Sequence, residues 1–146
     1  MALFRSDPLP VGAKAPDFSL ADDSGNNVSL ASLRGKNVVL VFYPGDDTPG
    51  CTRQLCDFRD QWTAAHERGV EVFGVNPQST ASHTRFRNKF QLPFPLLVDQ
   101  GRQVAKLYNA SGLIVRRTVY LIGPDGLIRF ARRGMPKPSE VLASAG

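Results

Sequence analysis

The uninterrupted apolar run Val38-Val-Leu-Val-Phe-Tyr43 is rich in β-branched residues, the pattern of a strand covered on both faces. Val70-Glu-Val-Phe-Gly-Val75 and Leu96-Leu-Val98 predict two further strands. Thr118–Ile122 and Leu127–Phe130 flank Gly123-Pro-Asp-Gly126, a strong turn signal, and are expected to pair as a hairpin. A weaker hairpin is expected earlier, from Phe18–Leu20 through residues 22–27 to Val28–Leu30. Between the strands the period changes. Leu55, Phe58, Trp62 and Ala65 recur at helical spacing and predict one helix over 52–68, stopped by Gly69. Phe86 and Phe90 mark a second helix, and Val104, Leu107 and Tyr108 a short third. This alternation predicts an α/β layer fold: a central mixed β-sheet flanked by helices, preceded by an N-terminal hairpin.

Composition narrows the class. The chain has 146 residues, 42% hydrophobic and 21% charged, with no repeat or linker. That predicts a single domain over 1–146 with its own core, residues 1–9 forming a mobile arm. No run of about 18 apolar residues is present, so no membrane span is expected. The first residues lack a signal-peptide core, and a cytoplasmic protein is expected. The net charge is +5, but the basic residues are scattered. Arg85/Arg87/Lys89, Arg116/Arg117 and Arg129/Arg132/Arg133 are the tightest groups, and none is interleaved with aromatics as in a strand-binding groove. A solvated basic surface is expected, with no nucleic-acid partner. His66 and His83 have no metal-ligand spacing to each other or to the cysteines, and are read as solvated helix residues. Asp46 and Asp47 are expected to face water. No metal site is expected.

Only two cysteines occur, Cys51 and Cys56. A small secreted domain would use more of them, widely spaced. Cys51 follows a loop rich in Pro and Gly and opens a helix whose stripe begins at Leu55. The first turn of a helix has unpartnered N–H groups and a positive dipole end, which favour an anionic sulfur, the nucleophilic form. Pro49 suits that turn, where its missing N–H is harmless. Residues five apart in a helix are rotated by roughly 140° and separated by about 8.7 Å between Cα atoms. A disulfide does not reach beyond about 7 Å. Cys51 and Cys56 therefore cannot bond while 51–56 stay helical; bonding requires the first turns to unwind. Alternatively, Cys56 is simply a small buried hydrophobe.

The string Phe42-Tyr-Pro-Gly-Asp-Asp-Thr-Pro-Gly-Cys-Thr-Arg-Gln-Leu-Cys56 resembles the active-site signature of the peroxiredoxins, in the form used by the bacterioferritin comigratory protein or peroxiredoxin Q subgroup. Gly12–Leu20, Phe94–Asp99 and Arg117–Ile122 resemble further parts of that family, so the likeness runs from about residue 10 to about residue 130. It implies a thioredoxin-like fold. It also implies a thiol-dependent peroxidase, reducing hydrogen peroxide and organic hydroperoxides to water or alcohol. On this resemblance Cys51 is the attacking cysteine and Cys56 the resolving one, joined as an intramolecular disulfide after oxidation. Arg117 would place its guanidinium beside the Cys51 sulfur and hold peroxide oxygen, and Thr48 would offer its hydroxyl to the same centre. Pro44 would shield the sulfur from water, and the Gly50 and Cys51 amides would donate to substrate. Gln54 matches the position that orients the arginine; it is equally readable as a solvated helix residue. The implied partners are a hydroperoxide and a thioredoxin or glutaredoxin reductant. No cofactor is implied, and a monomer is expected.

Two departures and two rival readings accompany the resemblance. Gly123 stands where the family often has Asp, and the tail after Gly134 is short, so the final helix is expected to be abbreviated. A thioredoxin-like disulfide reductase would need Cys-x-x-Cys, which is absent. A redox-sensitive binding or chaperone module of the same fold, without turnover, is the other alternative.

Overall fold

The computed structural model describes residues 7–146. Its centre is β3 (Asn37–Phe42), buried at every position. A strand with no polar side chain between its ends can be covered on both faces, and this one is. On one side β3 pairs in parallel with β4 (Val70–Asn76), on the other antiparallel with β6 (Thr118–Ile122). Beyond them β5 (Leu96–Val98) runs parallel to β4, and β7 (Ile128–Arg133) antiparallel to β6. The sheet order is β5-β4-β3-β6-β7, a mixed sheet as expected. The expected N-terminal hairpin is also present, as β1 (Ser19–Ala21) and β2 (Asn27–Ser29).

Alternation along β3 divides the core in two. Val39, Val41 and Tyr43 face one layer with Val119 and Leu121; Val38, Leu40 and Phe42 face the other with Tyr120 and Ile122. The first layer is filled by α1 (Pro49–Asp60), α2 (Trp62–Glu67), α3 (Thr80–Phe90) and α5 (Pro138–Leu142), through Leu55, Phe58, Ala65, Phe86 and Val141. The second takes α4 (Gln103–Leu107) with Tyr108, Phe18 and Leu30. Between β6 and β7 the register shifts, Leu121 facing Phe130 and Ile122 facing Ile128. The extra residue, Arg129, lets Phe130 enter one layer and Ile128 the other.

Three expectations need adjustment. The helix predicted over 52–68 starts earlier, at Pro49, and is two helices with a break at Gln61. There Gln61 N–H donates to the carbonyl of Phe58, a tighter turn that needs neither Gly nor Pro and so left no mark in the sequence. β7 extends three residues past the predicted Phe130. Leu107, assigned to an apolar stripe, is 52% exposed because α4 ends there and Tyr108 makes the inward contact instead. The last helix is short, as expected, at five residues. Of the expected N-terminal arm, residues 1–6 lie outside the described residues, while Leu9 N–H donates to Tyr120 Oη at 2.9 Å.

The antiparallel run of β6 brings two distant segments of the chain together. Phe42, the last residue of β3, faces Thr118, the first of β6. The exit of β3 toward α1 and the entry to β6 therefore meet at one end of the sheet.

Candidate active site

Thr48 is the N-cap of α1 (φ −93°, ψ 151°), Pro49 is its first residue and Cys51 its third. Cys51 is fully buried, packed in the first core layer with Leu55 and Tyr43. Arg117 immediately precedes β6 and shares the parity of Val119 and Leu121, so it belongs to the sheet face that carries α1. Its Nη2 donates to Cys51 Sγ at 3.3 Å and its Nη1 to Gln54 Oε1 at 2.8 Å. Gln54 is itself buried, and its Nε2 donates to Gly134 O at 3.3 Å. Gly134 N–H in turn donates to the carbonyl of Arg117 at 2.9 Å. The guanidinium is thus held in a closed ring of hydrogen bonds, one arm on the sulfur and the other on an amide. The reading of Gln54 as a solvated residue does not stand.

Gly50 lies beside this cation. A Cβ there would sit 3.4 Å from Arg117 Nη2, so the missing side chain keeps that face of the guanidinium uncovered. Pro44 follows buried Tyr43 at the strand exit and is half-buried. Thr48 is exposed, and its hydroxyl donates back to Gly45 O at 3.2 Å rather than to sulfur. Thr48 thus holds the N-cap position of α1, but its side chain makes no capping hydrogen bond. Cys56 sits on the same unbroken helix, half-buried, and both thiols are free. That is what helical geometry requires of this spacing. Burial pushes the Cys56 thiol above its ordinary range, with Asp60 and Asp57 adding to it and Arg59 opposing. Among the described residues no cluster of three or more His, Cys, Asp or Glu is placed to hold a metal.

Two residues read as solvated are not. Asp46 has a side chain only 3% exposed, and His83 is fully buried against it. The carboxylate accepts from Tyr43 Oη at 2.6 Å, Asn76 Nδ2 at 3.1 Å, Ser82 Oγ at 2.7 Å and His83 Nδ1 at 2.6 Å. Burial alone would raise the Asp46 carboxyl, but the hydrogen bonds from His83, Tyr43 and Ser82 outweigh it and hold the group below the ordinary carboxylate range. The Tyr43 hydroxyl is pushed well above its usual value, first by burial and then by Asp46. A partner 37 residues away leaves no local spacing signal. His83 was nonetheless readable as buried, since it stands three residues before Phe86 and seven before Phe90, on the same stripe. The other two assignments agree: His66 is exposed and stacked on Trp62, and Asp47 is exposed and paired with Lys89.

Residues 11–131 match the model of the AhpC/TSA family. A peroxiredoxin bcp relative from Coxiella burnetii is 43% identical over 129 residues, covering 82% of this chain and 85% of its own. The chloroplastic peroxiredoxin Q of Oryza sativa subsp. japonica is 38% identical over 133 residues. That match takes in 88% of this chain but only 61% of the relative, so the chain spans about three fifths of the length of such plant relatives. Among solved structures, peroxidoxin BcpB from Mycobacterium tuberculosis superposes with a TM-score of 0.85 at 28% identity, covering 92% of this chain and 94% of its own. Peroxiredoxin Q from Xanthomonas campestris gives 0.81 at 27%, covering 87% and 88%. The expected thioredoxin-like fold is met in these neighbours. With a family match over most of its length and a sulfur, an arginine and an amide joined at the end of its sheet, the chain belongs to the AhpC/TSA family, in the peroxiredoxin Q and bcp branch.

Proposed function

We propose that the protein is a thiol-dependent peroxidase in which Cys51 attacks hydroperoxides. The observation that carries this reading is the 3.3 Å contact between Arg117 Nη2 and Cys51 Sγ in the first turn of a helix. Attack by sulfur on an O–O bond puts negative charge on the departing oxygen. A fixed cation beside the sulfur, with helix-start amides at Gly50 and Cys51, stabilises that charge more than the ground state. The sulfur gains one oxygen as a sulfenic acid, and the other leaves, after protonation, as water or alcohol. The Cys56 thiol then condenses with the sulfenic acid, forming the S–S bond and releasing water once the start of α1 has unwound. A thioredoxin or glutaredoxin dithiol takes over the disulfide by exchange and restores both thiols.

Thr48 keeps a place in this proposal only in a rotamer other than the one that reaches Gly45. Pro44 serves by narrowing water access at the strand exit, Gly50 by leaving room for substrate beside the guanidinium, and Gln54 by orienting Arg117. A single domain acting as a monomer in the cytoplasm belongs to the same proposal, since a reducing compartment suits thiols that must be regenerated at every turnover. Among the described residues no helix is long and apolar enough to cross a membrane.

Mass spectrometry of the reduced protein after one equivalent of hydrogen peroxide tests the scheme. A loss of two mass units, mapped to a Cys51–Cys56 link, is expected. Cys51→Ser should consume no peroxide, and Cys56→Ser should consume one equivalent and stop at sulfenic acid or a mixed disulfide. An unmodified Cys51 in the wild-type protein would discredit the reading. Consumption of one equivalent with no recycling by any dithiol donor would favour the redox-sensitive binding module.

A further inference from the structure

The pair formed by Asp46, in the loop that leads to Cys51, and His83, on α3, is buried and has no part in the chemistry just described. His83 Nε2 is 2.9 Å from the carbonyl oxygen of Leu97, a group that only accepts, so Nε2 carries hydrogen. His83 Nδ1 is 2.6 Å from Asp46 Oδ2, which also accepts from Ser82 Oγ. The other carboxylate oxygen accepts from Tyr43 Oη and Asn76 Nδ2. Four donors converge on one carboxylate, two on each oxygen, and both imidazole nitrogens face acceptors. A neutral imidazole has one N–H and one bare nitrogen, and fits this surrounding at only one end.

We propose that Asp46 and His83 form a buried carboxylate–imidazolium latch that positions the Cys51 loop. The latch ties the loop to three separate elements at once. Asn76 belongs to β4, Ser82 and His83 to α3, and Leu97, which His83 engages, to β5. Gln78 completes it: its Oε1 accepts from Asp46 N–H, and its own N–H donates to Asn76 Oδ1. The residue just after the latch, Asp47, has φ +58°, a left-handed conformation uncommon for a residue with a side chain. It is followed at once by Thr48, Pro49, Gly50 and Cys51. The loop is therefore anchored at Asp46, and the turn at Asp47 joins that anchor to the start of α1. When α1 unwinds to bring Cys51 to Cys56, the latch gives the moving segment a fixed near end, and on refolding it returns the sulfur to Arg117. This role rests on the reading of Cys51 as the attacking cysteine; the charge state of the pair does not.

Two measurements decide it. In the reduced wild-type protein labelled with 15N-histidine, a long-range proton–nitrogen correlation at neutral pH should show both His83 ring nitrogens as N–H nitrogens, and Asp46→Asn should convert one of them to the bare type. A bare ring nitrogen on wild-type His83 overturns the latch. Separately, His83→Gln should slow oxidation of Cys51 by hydrogen peroxide about tenfold, whereas Val104→Ala, a destabilising change in the other core layer, should leave the rate within about twofold. If His83→Gln does not fold, Asp46→Asn takes its place in this comparison. Equal rates in the two variants overturn the positioning role. A wild-type Cys51 that does not react with peroxide removes the functional reading, and the nitrogen spectrum still settles whether the latch exists.

Discussion

Gln54 accepts one arm of the Arg117 guanidinium at 2.8 Å, which leaves the other arm 3.3 Å from the Cys51 sulfur. The two contacts use the fixed fork of arginine, a geometry that lysine lacks. Arg117→Lys keeps a charge but not both contacts, and peroxide oxidation of Cys51 is expected to slow by about a hundredfold, the usual loss for one well-placed transition-state donor. Gln54→Leu leaves the guanidinium in place but loose, and a loss of about tenfold is expected. Stopped-flow oxidation under single-turnover conditions measures both. Equal effects of the two variants would argue against an orienting role for Gln54.

Cys56 titrates above the ordinary cysteine range because burial disfavours its anion. In the proposed scheme its attack on the Cys51 sulfenic acid is fastest as thiolate. The disulfide-forming step should therefore accelerate with rising pH, through a midpoint above the usual value of about 8.5. Trp62, half-buried two residues past the end of α1, is a fluorescence reporter for following it. A resolution rate flat between neutral and alkaline pH would contradict this.

Asp46 supplies a dependence at the opposite end of the pH scale. Its folded carboxyl lies below the ordinary range, so its contribution is complete above the unfolded value of about 3.9 and is lost as pH falls through the lower folded value. Asp46→Asn should lower stability to urea by about 2 kcal/mol at neutral pH, the size of a hydrogen bond to a charged group. The gap should close in acid, where the wild type is also protonated. A difference constant from neutral pH down to acid would refute this account.

Gly74, in the middle of β4, faces the crowded side of the sheet. A Cβ there would lie 2.7 Å from Leu96 Cδ2 and 3.0 Å from the Tyr43 ring. The leucine methyl can turn away, but the ring is held by its hydroxyl on Asp46. Gly74→Ala is therefore expected to destabilise by about 1–3 kcal/mol in equilibrium unfolding, as overpacking does. No change would mean that Tyr43 is less confined than its contacts imply.

Much of the fold and part of the site were legible in the chain. β3, β5 and β6 announce themselves because strands buried on both faces are apolar without interruption, and β5 and β6 occur at the predicted residues. Cys51 at a helix start is readable from Pro49 and the loop before it. The break at Gln61 was hidden because a single tightened turn needs no special residue. The direction of the Thr48 hydroxyl is set by the loop's own carbonyls, which a motif does not describe. Asp46 and His83 were misjudged for a different reason: a polar residue reads as solvated until its partner is known, and the fold alone supplies the partner.

The direction of β6 governs how this family member tolerates change. Arg117 reaches the sulfur because Thr118 sits across from Phe42 in an antiparallel pairing, not because the connecting segment before it has a given length. Insertions at the exposed tip of that segment, between Gly112 and Ile114, should therefore leave the cation where it is, whereas Ala110 and Val115 on either side are buried in the second layer. A slip of one residue between β3 and β6 would instead carry it through the sheet to the opposite layer. Evolution is free to redraw that tip, where Leu113 and Ile114 already face outward, without disturbing the charge beside Cys51.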